Sequence, residues 1–400
     1  MNKVINRVLE AIRDMATIWA DEMKMTVKDE GVLIFFILVP LLYPLLYSWI
    51  YNNEVVREVP VAVVDNSHSH QSREFLRMCD ATPDVDIKYH CNNLEEARDL
   101  IGRQQVNGIL YFPNDFAHKL NRGEQTSVGV YCDMSLMLTY KAIYQTAMGV
   151  ASKINSDIQI ERSPAPSFTA RDEEITTRPI DFEEIPIFNT TGGYGNAVLP
   201  GVLIIIIQQT LLLGIGLAAG TAREQNRHHT LVPISRHHNG VFRIVAGKAL
   251  CYAMVYAVIS AYLTLVVPKL FGFTTMASGS ALIGLLTPYV LACIFFGMTI
   301  SCLIRYRENV ILIVVFTSLI FLFMSGLSWP KSNIPGYWQS ISWLFPSTFG
   351  VRGFLGISSM GGTLDTIKLE YAALWAQVVI YFFLTCLVYK IQVDRAKKHE

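Results

Sequence analysis

Three consecutive polar side chains, Gln208, Gln209 and Thr210, lie in the middle of an otherwise apolar stretch of this chain. An amide surrounded by hydrocarbon is costly unless it finds a hydrogen-bonding partner or faces a cavity. These side chains therefore either join helices or line a polar path, and both interpretations stay open. A second set, in a later apolar stretch, consists of Phe316, Thr317 and Ser318. Amide and aromatic groups together would suit an amphipathic organic compound, although packing is the better interpretation of the phenylalanine.

Histidines that could bind a metal ion occur in small groups. They are His228-His229, His237-His238 and, elsewhere, His68 and His70. No acidic or cysteine ligand accompanies them, so exposed loops are the better interpretation and no metal site is predicted.

Motifs of ATP-binding and hydrolytic enzymes are absent from the sequence. Gly247-Lys248 is followed by Ala249, and no glycine lies five residues before Gly247, so the chain has no phosphate-binding loop. H-E-x-x-H, C-x-x-C and G-x-S-x-G are absent too. We therefore predict no catalytic residue and no cofactor in this chain.

The composition indicates that apolar helices position these residues. Of the 400 residues, 52% are hydrophobic and 16% charged, and 33 basic residues balance 33 acidic ones. A neutral, apolar chain of this kind is neither a basic nucleic-acid binder nor a disordered acidic one. Six runs with at most one charge each are long enough to cross a membrane. They are 31–51, 196–220, 244–267, 281–304, 309–328 and 371–391.

The basic residues predict the orientation of these runs. Sixteen of them lie in 1–30, 221–243 with Lys248, 305–308 and 390–400, whereas the short loops of the other side hold four. An excess of this size predicts cytoplasmic termini, including the tail 392–400. Residues 52–195, with 21 acidic and 13 basic side chains, are then an extracytoplasmic domain.

Residues 1–30 have the pattern of an amphipathic helix, with Val8, Ile12, Met15 and Trp19 at helical spacing. A helix in the interface of the inner leaflet is favoured over a helix packed on a cytoplasmic partner. The first apolar run begins only at residue 31, which indicates an uncleaved anchor.

The inserted domain alternates between strands and helices, which predicts an α/β fold. The strands are expected at 59–64, 85–89, 107–112 and 127–132, and the helices at 71–79, 94–105, 115–120 and 135–160. Residues 163–195 are predicted to be an extended linker. Cys79 and Cys91 could form a disulfide in an oxidising periplasm or remain buried thiols, and Cys132 leaves the count odd.

Two groups of residues in the membrane part of the chain form recognisable motifs. The first consists of Arg223, Glu224, Thr230, Pro233, Gly247 and Lys248, and the second of Ser325, Gly326, Pro330, Pro335, Pro346 and Arg352. With these motifs the chain resembles the permease subunits of ABC-2 type exporters, in particular those with a large periplasmic domain between the first two of six spans. His229 stands where that family usually has glycine.

The resemblance implies a role for each motif. The loop 221–243 would dock on the ATPase through Arg223, Glu224, Arg227, Thr230 and Pro233, although a solvated loop near lipid headgroups is the alternative. The spans carrying Gln208 and Phe316 would line the path of a dimer. Residues 329–365 would form a re-entrant helical hairpin or, alternatively, an external loop.

The resulting prediction is a polytopic α-helical membrane protein with an inserted α/β domain, acting as the permease of an ATP-driven exporter of amphipathic or drug-like compounds in a bacterial inner membrane. Its expected partners are cytoplasmic ATPase subunits that hold ATP and Mg²⁺, a second copy or a paralogue, and membrane lipids. By analogy, a periplasmic adaptor and an outer-membrane channel could follow. The alternative is a membrane-anchored receptor or scaffold whose outer domain binds a ligand or an envelope partner.

Overall fold

A computed structural model describes residues 2–52, 55–162, 169, 187–189, 193–224, 240–302 and 306–398. The chain divides into two compact units, one made of Val55–Ile185 and the other of the residues before and after it. Each unit is described separately below.

Two helices precede the Val55–Ile185 unit. α1 spans Asn2–Lys28 and α2 spans Glu30–Ile50. Asp29 lies between them and caps α2, because its side chain accepts hydrogen bonds from the N–H groups of Gly31 and Val32 at 3.0 and 3.2 Å. A π-helical turn at Ile34–Leu38 comes just before Pro40. Proline cannot donate to a helical carbonyl, and the wider turn accommodates it.

The Val55–Ile185 unit is an α/β structure, as predicted. Its elements are β1 (Val59–Asp65), α3 (His70–Asp80), β2 (Val85–His90), α4 (Leu94–Gly102), β3 (Gly108–Phe112), α5 (Phe116–Arg122), β4 (Gly129–Cys132) and α6 (Met137–Glu161). The strand order is β2-β1-β3-β4, in which β1 is parallel to β2 and β3, while β4 is antiparallel to β3. All eight elements expected from the sequence are present, with ends that differ by up to three residues.

The thiols of this unit are not bridged. Cys79 and Cys91 are both buried, but Cys79 packs with Val61 and Val63 on one face of the sheet and Cys91 with Ala62 and Val64 on the other. Alternate residues of a strand point to opposite faces, so the sheet separates the two thiols. Burial raises the pKa of Cys79 to about 12, which is typical of an unreactive thiol.

The rest of the chain is helical. It contains α7 (Tyr194–Glu224), α8 (Gly240–Leu270), α9 (Gly279–Ser301), α10 (Arg307–Met324), α11 (Gly336–Ser342), α12 (Pro346–Ser358) and α13 (Lys368–Lys398). In the described part of the chain, α2, α7, α8, α9, α10 and α13 are long and apolar enough to cross a membrane. The predicted fold class, a polytopic helical membrane protein with six spans, is confirmed. The second span is longer than expected, since its helix continues through Thr221 to Glu224.

α7 lies at the centre of the helical unit, with 83% of its most apolar window buried. It packs against α9, α10 and α12, and its Gly214 faces Phe36 of α2. Phe36 is fully buried and meets Tyr252 and Tyr256 of α8 edge-on, with ring centroids 5.6 and 4.8 Å apart. Because glycine has no Cβ, α2 can approach α7 closely here.

Two short helices lie between α10 and α13, where the sequence predicts a hairpin or an external loop. α11 is largely exposed, whereas α12 is buried against α7 and α9. Gly350 of α12 lies against the ring of Tyr289, whose hydroxyl donates to the carbonyl of Ile204 at 2.6 Å. α12 is thus part of the helical core, and the hairpin stays a prediction.

Candidate functional site

One end of the helical unit, where α1 lies, contains three buried or partly buried ion pairs. Asp14 pairs with Arg243 and Glu22 pairs with Lys248, both at 2.7 Å. The side chains of Glu22 and Lys248 are only 6% and 12% exposed, and the hydroxyl of Tyr252 also donates to Glu22. A third pair joins Asp29 to Arg307 at 2.7 Å. We call these three ion pairs, Asp14–Arg243, Glu22–Lys248 and Asp29–Arg307, the α1 clamp.

Asp29 forms the third pair of the α1 clamp and joins three spans. Its carboxylate accepts hydrogen bonds from Arg307 of α10 at 2.7 Å and from Thr221 of α7 at 2.8 Å, besides those that cap α2. Burial alone would raise the pKa of Asp29, but the hydrogen bonds from Thr221, Val32 and Arg307 outweigh it and hold the pKa below its ordinary value of 3.8.

The lowered pKa of Asp29 predicts a pH dependence. A carboxyl group with a lower pKa in the folded state contributes stability above its unfolded pKa, and the contribution is lost as the pH falls through the folded value. We expect the native protein to be more heat-stable than Asp29→Asn at pH 7, and the difference to shrink below pH ~4. Thermal unfolding of the two proteins in detergent between pH 3 and pH 8 measures this difference in stability. A difference that stays constant across this range would contradict the lowered pKa of Asp29.

Gly247, next to Lys248, allows α1 to lie close to α8. A Cβ at this position would lie 2.9 Å from Cβ of Ile18 and 3.0 Å from the carbonyl oxygen of Met15. Both distances are too short for a relaxed contact. The Gly-Lys pair therefore has a double structural role, in which the glycine gives room to α1 and the lysine neutralises its Glu22. In the sequence, α1 was expected to contact a lipid interface or another protein, and its packing on α8 was not foreseen.

A cavity of about 130 Å³ adjoins the α1 clamp between α1, α7, α8, α9 and α13. Glu22, Lys248, Tyr252 and Arg223 are among its lining residues. The space is sufficient for several water molecules, and the polar lining can hydrate the paired charges.

The predicted coupling residues divide between described and undescribed parts of the chain. Arg223 ends α7 and donates to the carbonyl of Cys302 at 2.6 Å, and the carboxylate of Glu224 accepts from the N–H of Arg307 at 3.4 Å. Arg227, Thr230 and Pro233 lie outside the described residues, as do the four histidines between 228 and 238. Arg223 and Glu224 thus connect α7 to the ends of α9 and α10.

The two glutamines of α7 have different environments. Gln208 is 1% exposed, and its side-chain oxygen accepts a hydrogen bond from the backbone N–H of Ser347 in α12 at 2.6 Å. Gln209 has a buried amide with no hydrogen-bonding partner for its oxygen or nitrogen among the described residues. Thr210 donates to the carbonyl of Ile206 at 2.7 Å. Gln208 therefore joins α7 to α12 through a hydrogen bond. The amide of Gln209 forms no hydrogen bond among the described residues.

α10 presents a broad apolar face away from α7. Val310, Phe321 and Met324 are buried, while the opposite face is exposed. The exposed face consists of Ile311, Leu312, Val315, Phe316, Leu319, Ile320 and Phe323. Thr317 and Ser318 satisfy their hydroxyls within the helix, by donating to Ile313 and Val315 at 2.7 and 2.6 Å.

The residues of the second motif, which the sequence predicts as a re-entrant or gate segment, lie between the end of α10 and the middle of α12. Gly326 has a φ of +87°, which glycine adopts without strain, and Arg352 donates from Nε to the carbonyl of Ser325 at 3.3 Å. Pro346 is the first residue of α12, where its missing N–H is not needed. Pro335 precedes α11, and Pro330 precedes a single 3₁₀ turn, Lys331–Asn333. These residues thus form the turns of the segment between α10 and α13.

Comparison with protein families decides what kind of protein carries these features. The model of the ABC-2 family transporter protein matches residues 31–387, which is most of the chain. The chain belongs to the ABC-2 transporter family. A search of curated proteins found no match.

An ABC-2 family protein is a membrane transport component, and the six candidate spans fit a multi-pass membrane protein. Family members work with ATP-binding-cassette partner subunits. Among the described residues, no group of three His, Cys, Asp or Glu side chains is placed to hold a metal ion.

The α1 clamp was missed by the sequence analysis, although a signal for it exists. Asp14, Glu22 and Asp29 are spaced by eight and seven residues. At about 100° per residue, this spacing places them within an arc of about 80° on one helix face. Carboxylates on one face of α1, together with the basic residues Arg243 and Lys248 at the start of a later span, indicate ion pairs within the chain.

Proposed function

We propose that this ABC-2 family protein is the permease subunit of an ATP-driven exporter that moves an amphipathic or drug-like compound out of the cytoplasm or the inner leaflet. The observation that carries the proposal is the buried amide of Gln209 on α7, which has no hydrogen-bonding partner among the described residues, together with the exposed apolar face of the neighbouring helix α10. An amide at this depth needs a partner, and a change of the helix packing during transport would expose it to a substrate or a second subunit. The apolar side chains on the exposed face of α10 suit the hydrophobic part of an amphiphile.

In this proposal, two copies of the chain, or one copy and a close relative, face each other through α7 and α10. The α1 end is cytoplasmic, the Val55–Ile185 unit is outside the inner membrane of a bacterium, and separate ATPase subunits bind ATP and Mg²⁺. The excess of basic residues in the segments near α1 supports this orientation. A periplasmic adaptor and an outer-membrane channel are a further extension, based on analogy alone.

The α1 clamp supports a mechanism of coupling. Its acidic side chains connect α1 to α8 and α10, while Thr221 connects Asp29 to α7. A push by the ATPase on α1 or on the segment 221–243 would therefore move these spans together rather than one by one. This rigid connection would convert closure of the ATPases into a change from an inward-open to an outward-open pathway.

Copurification tests the proposal directly. The tagged protein would be isolated in mild detergent, its partners identified by mass spectrometry, and ATP turnover measured with and without vanadate. Recovery of an ATPase with vanadate-sensitive turnover is the expected result. Recovery of the chain alone, or with envelope proteins only, would contradict the exporter and favour a receptor or scaffold.

Glu224→Ala is expected to reduce both the amount of copurified ATPase and its stimulation by the permease. Glu224 is exposed at the end of α7, and its contact among the described residues is one long hydrogen bond from the N–H of Arg307, so its carboxylate is accessible to a partner. Glu95→Ala, an equally exposed change on α4, provides the control. Unchanged binding and unchanged stimulation in Glu224→Ala would remove this residue from the coupling contact.

The two adjacent glutamines are expected to respond oppositely to replacement by leucine. Gln208→Leu leaves the buried N–H of Ser347 without its acceptor, which we expect to cost about 1–3 kcal/mol of stability. Gln209→Leu removes no hydrogen bond among the described residues, so stability is expected to stay equal or rise while transport falls. Thermal unfolding, and ATP-dependent uptake of rhodamine 6G into inside-out vesicles, measure the two effects. A fully active Gln209→Leu variant would exclude this amide from the pathway.

A further inference from the structure

The Val55–Ile185 unit contains a cleft of about 350 Å³ between β4, α5 and residues 144–155 of α6. Its floor consists of Phe75, Phe116 and Ala147, which are 3%, 6% and 4% exposed. Phe112 fixes both phenylalanine rings, because it meets each of them edge-on at centroid distances of 5.4 and 5.2 Å. The floor is therefore rigid and apolar, and the cleft has the size of sites that hold small organic molecules.

Among the described residues, the lining of this cleft carries no charged side chain. The polar groups that reach it are uncharged and belong to Thr126, Tyr144 and Asn155. The surrounding segment is acidic, with 21 acidic and 13 basic residues in 52–195, so the uncharged lining is a local departure. A charged ligand group placed inside would lose its hydration without gaining a counter-ion. The lining thus selects an uncharged, mainly apolar body.

The mouth of the cleft is also apolar. Tyr144 and Met148 of α6 lie there with 43% and 55% of their surface exposed. Among the described residues of this unit, every large exposed apolar side chain except Val55 lies between Tyr131 and Met148. Of these residues, Tyr144 and Met148 line the cleft, and exposed apolar surface at a cleft is typical of a binding site. Methionine adapts its shape to different ligands, because its side chain is unbranched and flexible.

We propose that this cleft binds the apolar body of an uncharged or amphipathic small organic molecule, with any charged end of the ligand left at the mouth in solvent. The proposal goes beyond the exporter function and does not depend on it, since binding here requires neither ATP nor a membrane pathway. If the export function also holds, the cleft would receive cargo outside the membrane.

Photolabelling of the full-length protein in nanodiscs tests this site. Benzophenone, an uncharged molecule with two aromatic rings, would be activated by ultraviolet light and the modified peptides identified by mass spectrometry. We expect saturable labelling of residues 144–155 of α6, which an excess of diphenylmethane reduces because it has the same rings and no photoreactive carbonyl.

Two substitutions distinguish the cleft from general attachment to the surface. Ala151→Trp fills the cleft and Met148→Lys brings a charge to its mouth, and each is expected to lower labelling of 144–155 at least tenfold. Ser152 is exposed on the same helix and does not line the cleft, so Ser152→Trp and Ser152→Lys are matched controls that should keep the labelling. Because Met148 is already exposed, Met148→Lys is decisive even if Ala151→Trp folds poorly.

Three results would overturn the proposal. They are labelling that both cleft variants leave unchanged, labelling confined to the membrane helices, and no saturable labelling of residues 144–155. Loss of ATPase copurification with retained labelling would overturn the export function and leave this site intact.

Discussion

Replacing Lys248 with methionine is expected to lower the free energy of unfolding by about 3–5 kcal/mol, because Glu22 would remain as a buried, uncompensated charge. Glu22 is 6% exposed and forms its ion pair with Lys248 at 2.7 Å. The hydroxyl of Tyr252 still donates to it, but a single neutral donor does not replace a cation. Unfolding by heat or by sodium dodecyl sulfate, in matched detergent, measures the loss.

The double variant Glu22→Gln/Lys248→Met separates the cost of an orphaned charge from the loss of packing. It removes both charges and is expected to recover more than half of the stability lost by Lys248→Met. Lys153→Met breaks an ion pair of the same length, 2.7 Å to Asp157, whose side chains are 64% and 43% exposed, and should have little effect. If Lys248→Met proves as mild as Lys153→Met, the buried pair is not what holds α1 on α8.

Gly214→Ala is expected to lower the stability of the helical unit strongly, although it adds only one methyl group. The added methyl group would overlap the ring of Phe36, which cannot move aside because Tyr252 and Tyr256 hold it from the other side. Overpacking of this kind costs about 1–3 kcal/mol, or more when the backbone must shift. We expect a lower unfolding temperature and increased proteolysis between α2 and the Val55–Ile185 unit.

A second substitution makes the prediction for Gly214 specific. Phe36→Leu should restore much of the stability of Gly214→Ala, since the smaller side chain makes room for the methyl group. Gly149→Ala in α6 serves as the control, because a Cβ there has no neighbour within 4 Å. That change should be neutral or stabilising, as alanine favours helix by up to about 1 kcal/mol. Equal effects at positions 149 and 214 would contradict the overlap.

The fold class could be predicted from the sequence because it depends on local patterns. Six long apolar runs with at most one charge each indicate spans when they occur in one chain. Turn residues such as Asp65 and Asn66 mark the ends of strands. The end of α7 was misplaced by four residues, since Thr221 and Arg223 are polar and the pattern ends before them. In the structure they continue the helix because Asp29 and the carbonyl of Cys302 accept their hydrogen bonds.

The candidate site was less predictable, because it depends on which helix faces meet. Gln208 and Gln209 are adjacent and chemically identical, yet their side chains point about 100° apart. Only the position of α12 determines that Gln208 has a partner in Ser347 and Gln209 has none among the described residues. Similarly, Glu22 resembles any solvent-facing acid of an amphipathic helix until α8 brings Lys248 beside it.

The central position of α7 has a consequence for the synthesis of the protein. α7 is the second candidate span along the chain, but the helices that enclose it, α9, α10 and α12, are all made later. The N–H that Gln208 binds belongs to a residue 139 positions further on. At about 5–20 residues per second, the ribosome needs on the order of ten seconds to supply it. During that time the glutamine must be tolerated in the lipid or in the insertion machinery. The preceding run Leu203–Ile207 provides apolar surface that keeps the helix inserted until its neighbours are made. The mean hydropathy of this span is 2.3.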